Sequence, residues 1–217
     1  MPAPRTVGAL YLVALALVAA GLTFCHGGGG PDHGHRCADP GAADFSGRTV
    51  TAADLGQGPQ RCANLERAVL DGPVGPLNLG GANLHRATLR DGALNDVDLT
   101  GADLTLAVAQ AAELSGVRLD GADLGGAVLR DSNLTDVGLR RARLRGTDLR
   151  AVAFVRADLA GADARGADLA GATITDSNLR GARLDDADLS RTTWVNAVCP
   201  DGHKSTDGTC AGHLHPG

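Results

Sequence analysis

From Leu77 to Cys199 a large apolar residue recurs at every fifth position, with a small residue two places before it. The register runs through Leu79, Leu84, Leu89, Leu94, Leu99 and Leu104 to Leu189, Trp194 and Cys199 without a slip. A helix cannot use this pattern. At roughly 100° per residue, each step of five turns the leucine by about 140°, so the leucines spray around the axis. A straight strand fails too, because side chains alternate with period 2 and an odd repeat sends successive leucines to opposite faces. The pattern fits a chain that runs extended for three residues and then turns. Ala122 and Leu124 then point inward, Asp123 points outward, and Gly125 and Gly126 make the corner. Four corners close a square of about twenty residues per coil, and stacked coils pair their backbones at about 4.8 Å.

The run of A-[D/N]-L-x-x units resembles the pentapeptide-repeat family, over residues 77–199 without a break. The resemblance implies an all-β fold, a right-handed quadrilateral β-helix. Sorting the repeats by fours assigns the core to four sides. Leu79, Leu99, Leu119, Leu139, Leu159, Leu179 and Cys199 stack on the first. Leu84, Leu104, Leu124, Leu144, Ala164 and Leu184 form the second. The third carries Leu89, Ala109, Leu129, Leu149, Leu169 and Leu189, and the fourth Leu94, Leu114, Leu134, Phe154, Ile174 and Trp194. Ala109 and Ala164 leave volume that a leucine would fill. Compact residues such as Ala82, Val97, Ser132, Thr147 and Ser177 occupy the inward small position.

Outside the array the composition changes. Residues 1–24 hold one charge, Arg5, ahead of the apolar run from Ala9 to Val18. That order fits a signal peptide cleaved after Gly21, or an uncleaved membrane anchor. Leu22 to Cys25 resembles a lipobox, with Phe24 where a small residue is required, so Cys25 is a candidate lipidation site. Residues 25–42 read as a Gly- and His-rich linker, whose His26, His33 and His35 lack the fixed geometry of a metal site. Residues 43–76 repeat in a shifted register, through Phe45, Leu55, Leu65 and Leu70, and read as an irregular cap coil. Pro73 and its neighbours absorb a one-residue slip. Cys37 and Cys62 flank this cap and are placed to bridge in an oxidising compartment. At the other end, residues 200–217 contain two Asp-Gly turns between Cys199 and Cys210, which reads as a disulfide-closed loop, with Trp194 as a lid on the core. The segment resembles the C-P-D-G…G-T-C-x-G-H-L ending of exported bacterial pentapeptide-repeat proteins. Asp201, Ser205 and Asp207 lack the spacing of a calcium loop, so a turn-rich cap is the expectation and no metal or other cofactor is assigned.

A net charge of −5, with both signs interspersed, does not point to nucleic acid, and two per cent aromatics offer no stacking platform for bases. No Ser, Cys or His lies in a catalytic arrangement, and the narrow core holds no pocket, so no enzyme is expected. The sharpest surface feature is a basic belt, Arg140, Arg141, Arg143, Arg145, Arg150 and Arg156. It serves either solvation and inter-coil pairing, or docking of an acidic protein or anionic cell-envelope polymer. The expected role is an exported scaffold, periplasmic, extracellular or surface-attached, that touches membrane only through its N-terminal segment or a lipid on Cys25. The resemblance supplies an alternative, a DNA-mimicking binder of DNA gyrase of the quinolone-resistance type. The export-like N-terminus and the arginine belt oppose it.

Overall fold

The computed structural model describes residues 41–56, 60–90, 92–206 and 208–214. The N-terminal segment, Cys25, His26, His33, His35, Cys37 and Asp207 lie outside the described residues. Within them the chain winds into a parallel β-solenoid of about seven turns, each of about twenty residues. No helix among them is long and apolar enough to cross a membrane.

The corners explain how a five-residue unit turns. On three sides the N–H three residues beyond most core positions donates to that core carbonyl, as from Ala82 to Leu79 (2.9 Å) and from Ala142 to Leu139 (3.1 Å). The residue two places after the core position takes a left-handed φ, 69° at Gly81 and 66° at Gly121. Arg141 at 56° and Ala151 at 53° adopt the same conformation without glycine's freedom. On the fourth side the backbone stays extended in three-residue strands. Ala93–Asn95, Glu113–Ser115, Asn133–Thr135, Ala153–Val155, Thr173–Thr175 and Thr193–Val195 form one six-stranded parallel sheet. Their pairing joins Leu94, Leu114, Leu134, Phe154, Ile174 and Trp194 in a column.

The ladder begins earlier than the regular array, at Asp44, which bridges Asn64. Val69 and Leu70 pair with Thr88 and Leu89, an offset of nineteen residues, whereas Val74 pairs with Leu94, an offset of twenty. The slip is therefore a four-residue step from Leu70 to Val74 stacked on the five-residue step from Leu89 to Leu94. Val74 takes the core slot, 2% exposed. Ala52–Leu55 is a short helix that the five-residue pattern did not suggest. Asp54 stabilises its start by accepting from the Thr51 N–H (2.8 Å) and hydroxyl (2.7 Å), and Leu55 is buried beneath it.

The interior is a single apolar column containing Leu79, Leu84, Leu89, Leu99, Leu119, Leu124, Leu129, Leu134, Leu144, Phe154, Ile174 and Trp194, all buried. Its buried hydroxyls are satisfied by the backbone. Thr147 donates to the Leu124 carbonyl (2.9 Å) and Ser132 to that of Ala109 (2.7 Å), while Ser177 accepts the Ala157 N–H (3.0 Å). Of the two short core positions, Ala109 borders a cavity of about 20 Å³, enclosed by Leu89, Leu94, Leu114, Leu129 and their neighbours. Ala109→Leu is expected to raise the melting temperature, with a gain of about 1 kcal/mol from filled volume and added buried area. An unchanged or lower melting temperature by circular dichroism would show that the slot cannot take the extra carbons.

Candidate functional site

Where a unit carries an outward Asp or Asn, that side chain commonly has a local task before any partner is considered. Its Oδ1 accepts the N–H two residues on, closing the corner from outside: Asp98 to Thr100 (3.0 Å), Asp123 to Gly125 (3.0 Å), Asp168 to Ala170 (3.0 Å) and Asp188 to Ser190 (2.8 Å). Sequence reading had treated these carboxylates only as outward charge. The signal was present in the frequent recurrence of Asp and Asn at that position, where Arg118, Val128, Gly138 and Arg143 also occur, since these two side chains carry an acceptor at this reach. In register they also stack between coils, and Asp148, Asp168 and Asp188 form one column on the third side.

The arginine belt is distributed and largely paired. Because successive units occupy successive sides, Arg140 follows Leu139 on the first side, Arg145 follows Leu144 on the second, Arg150 follows Leu149 on the third, and Arg156 follows Phe154 on the fourth. The six therefore ring the rod and do not make one patch. Arg145 pairs with Asp163 (2.9 Å), and Arg143 lies 3.6 Å from Asp123 and Arg140 3.7 Å from Asp158. Arg150 grips both oxygens of Asp148 and lies 3.4 Å from Asp168. Arg156 forks onto Asp136 with two contacts of 2.7 Å. Arg141 has no ion pair among the described residues. The aspartates one coil above or below supply most of these partners, since the twenty-residue register brings them alongside. Pairing between coils, the plainer of the two sequence expectations, thus accounts for five of the six.

These contacts lower several carboxylate pKa values. The Arg156 guanidinium holds Asp136 down, Arg150 does so for Asp148, and the Ser190 backbone N–H does so for Asp188. A carboxylate depressed on folding contributes stability that is fully present above its unfolded value, about 3.9, and is lost as pH falls through the folded value. The melting temperature is therefore expected to stay level from about pH 8 to 5 and to drop below about pH 4. A decline that begins near pH 6.5 would implicate histidine instead.

At the C-terminal end Cys199 and Cys210 form a disulfide with Cα atoms 5.7 Å apart. The loop between them folds back on the last coil. Lys204 pairs antiparallel with Val198, and Thr206 with Thr209. The Trp194 N–H donates to the Gly208 carbonyl (3.0 Å) and the Ser205 N–H to that of Ala197 (2.8 Å). Trp194 is thus not the lid expected from the sequence; the loop covers it. The cover is partial, since Ala187 and Leu189 at the same end remain half-exposed. An antiparallel cap ends the parallel edge by occupying its free backbone groups. Cys62 is also disulfide-bonded, at a left-handed corner (φ 61°).

The cap holds one further cluster. Asp201 Oδ1 accepts the His203 backbone N–H (2.9 Å), and Oδ2 accepts Nδ1–H of His203 (3.0 Å) and of His213. The backbone N–H of His203 and the two imidazoles pull the Asp201 carboxyl down to about 2. The two rings lie 5.0 Å apart, centre to centre. The sequence offers Asp201, Ser205 and Asp207 only as a set without calcium-loop spacing, and assigns no metal there. Sequence reading missed the two histidines because the fold-back that brings His213 to Asp201 is not local in the chain.

The family model for pentapeptide repeats matches eight copies, over residues 77–105, 112–150 and 154–191. No curated protein matches the chain. Among solved structures, it is similar to HetL, a pentapeptide repeat protein involved in heterocyst differentiation regulation in the cyanobacterium Nostoc. The identity is 26%, covering 67% of this chain and 80% of that one, with a TM-score of 0.36. A pentapeptide repeat protein from the thylakoid lumen of Arabidopsis thaliana is 30% identical, over 40% of this chain and 60% of that one, with a TM-score of 0.39. QnrB1, a plasmid-mediated fluoroquinolone resistance protein, is 20% identical over 69% of this chain and 84% of that one, with a TM-score of 0.32. The five-residue corners, the twenty-residue register and the eight matched copies together place this chain in the pentapeptide-repeat family.

Proposed function

We propose that this scaffold is exported and acts without catalysis, by presenting its charged outer faces to a protein or to an anionic polymer of the cell envelope. The observation that carries the reading is the division of labour between inside and outside. The inside is filled by leucine and alanine, so its 20 Å³ apolar cavity has no room for a substrate. Apart from the buried hydroxyls of Ser132, Thr147 and Ser177, the polar side chains among the described residues face outward on a backbone ladder that runs from Asp44 to Val198. A rod of about seven coils is roughly 34 Å long, enough to display several columns of side chains to an extended partner. The disulfide in the cap and the signal-like residues 1–24 support an oxidising destination.

Cell fractionation with mass analysis of the mature N-terminus tests the proposal. The expected result is protein outside the cytoplasm, with an N-terminus at residue 22 or a lipid on Cys25. Full-length chain retained in the cytoplasm would overturn export. The gyrase alternative needs a continuous acidic face. The longest acidic column, Asp148 to Asp188, is bridged by Arg150, which speaks against it. Inhibition of gyrase supercoiling at micromolar protein would restore that alternative.

A further inference from the structure

We propose that Asp201, His203 and His213 form a binding site for a divalent transition metal of the zinc class, built into the C-terminal cap. The three side chains come from two segments, Asp201–His203 and the residues just past Cys210, which the Cys199–Cys210 disulfide and the fold-back hold together. Their ligand atoms all lie within 4.8 Å of one another, and no other such group of three occurs among the described residues. Both imidazoles already converge on a single carboxylate oxygen, and the other oxygen is fixed by the His203 backbone N–H, so the carboxylate cannot swing away. Two imidazoles and a carboxylate with open positions suit zinc, copper(II) or nickel. They do not suit magnesium or calcium, which favour all-oxygen shells.

Tetrahedral zinc with bonds of about 2.0–2.1 Å needs neighbouring ligand atoms about 3.3–3.4 Å apart. The separation of 3.0 Å between Asp201 Oδ2 and His203 Nδ1 requires an opening of a few tenths of an ångström, and the His213 Nδ1, at 2.5 Å from the same oxygen, must draw back by somewhat less than an ångström. His203 is 71% exposed, so its ring can move and solvent can complete the coordination. On binding, the cation takes the place of the proton at each Nδ1; a neutral ring passes that proton through water to its own Nε2, a protonated ring releases it to water, and affinity falls as the imidazoles protonate at lower pH. A bound ion would tie Leu214 and the chain around it to the start of the loop and so tighten the cap. The site is independent of the scaffold role proposed above.

Titration of the disulfide-intact full chain with cobalt(II), read by its visible absorption, and with zinc(II), read by calorimetry, tests the proposal. His26, His33, His35 and His215 offer competing imidazoles, so three variants are compared with wild type. Replacing His26, His33 and His35 by Asn is expected to leave a saturable one-to-one site and its cobalt spectrum. The pair His203→Gln and His213→Gln is expected to abolish that spectrum and weaken zinc binding more than tenfold. Asp201→Asn, which keeps the turn acceptor but removes the charge, is expected to weaken zinc likewise while the metal-free melting curve shows the cap intact. The proposal fails if wild type shows no saturable binding, or if the double His→Gln variant keeps the wild-type cobalt spectrum and affinity.

Discussion

Leu144→Asp is expected to unfold the middle of the rod. Leu144 is 1% exposed and sits between Leu124 and Ala164 in the second-side column. The change removes about 1.5–3 kcal/mol of burial and forces a carboxylate into a column that has no partner for it. The combined loss exceeds about 4 kcal/mol, a large fraction of the stability of a typical domain. Because each coil buries its leucines only against the coils above and below, the damage spreads to neighbours, and urea melts should lose cooperativity as well as midpoint. Arg145→Asp, one residue away but outward and paired with Asp163, is the control. It is expected to cost less than about 1 kcal/mol, in keeping with exposed ion pairs. Equal effects at 144 and 145 would contradict the assignment of inside and outside.

Cys199→Ala with Cys210→Ala is the second large change. Removing the bridge of a loop this length returns about 3 kcal/mol of conformational entropy to the unfolded chain, and here the lost stability is concentrated at one end. Trp194, the only tryptophan, is 4% exposed beneath the loop and bonded to Gly208. Its fluorescence is expected to shift to the red well below the main melting temperature, while hydrogen exchange at Leu119 to Leu134 remains slow. Coincident loss of both signals would mean that the cap and the rod unfold as one unit.

The stacking of the core could be read from the sequence, and so could the Cys199–Cys210 bridge. The four columns follow from the spacing of leucine alone, because no other local geometry sends every fifth residue inward. The slip near Pro73 was also visible, as a nine-residue gap between Leu70 and Leu79. Three features were hidden for different reasons. The helix at Ala52–Leu55 begins with Thr51 and Asp54, a good capping pair, but Ala53-Asp54-Leu55 also spells a repeat unit, and local capping prevailed. The aspartates looked like surface charge because their turn-closing bonds depend on a backbone geometry that the spacing does not display. The Asp201–His203–His213 cluster depends on a fold-back across ten residues, which no periodic signal announces. For the arginines, one dimension misled: clustered in sequence, they are dispersed around the rod by the same five-residue step that builds it.

The central claim is the register, and backbone nuclear Overhauser effects test it most directly. Amide-to-alpha contacts are expected between coils at an offset of about twenty, linking the neighbourhoods of Asp123 and Arg143, Asn133 and Ala153, and Asp148 and Asp168. From Asn64 to Asp71 the offset is expected to drop by one, so that Val69 meets Thr88 and Leu70 meets Leu89. Contacts that follow this switch from nineteen to twenty at Val74 would establish the stacked square coil residue by residue. Antiparallel contacts within 77–191, or an offset that does not repeat, would contradict it.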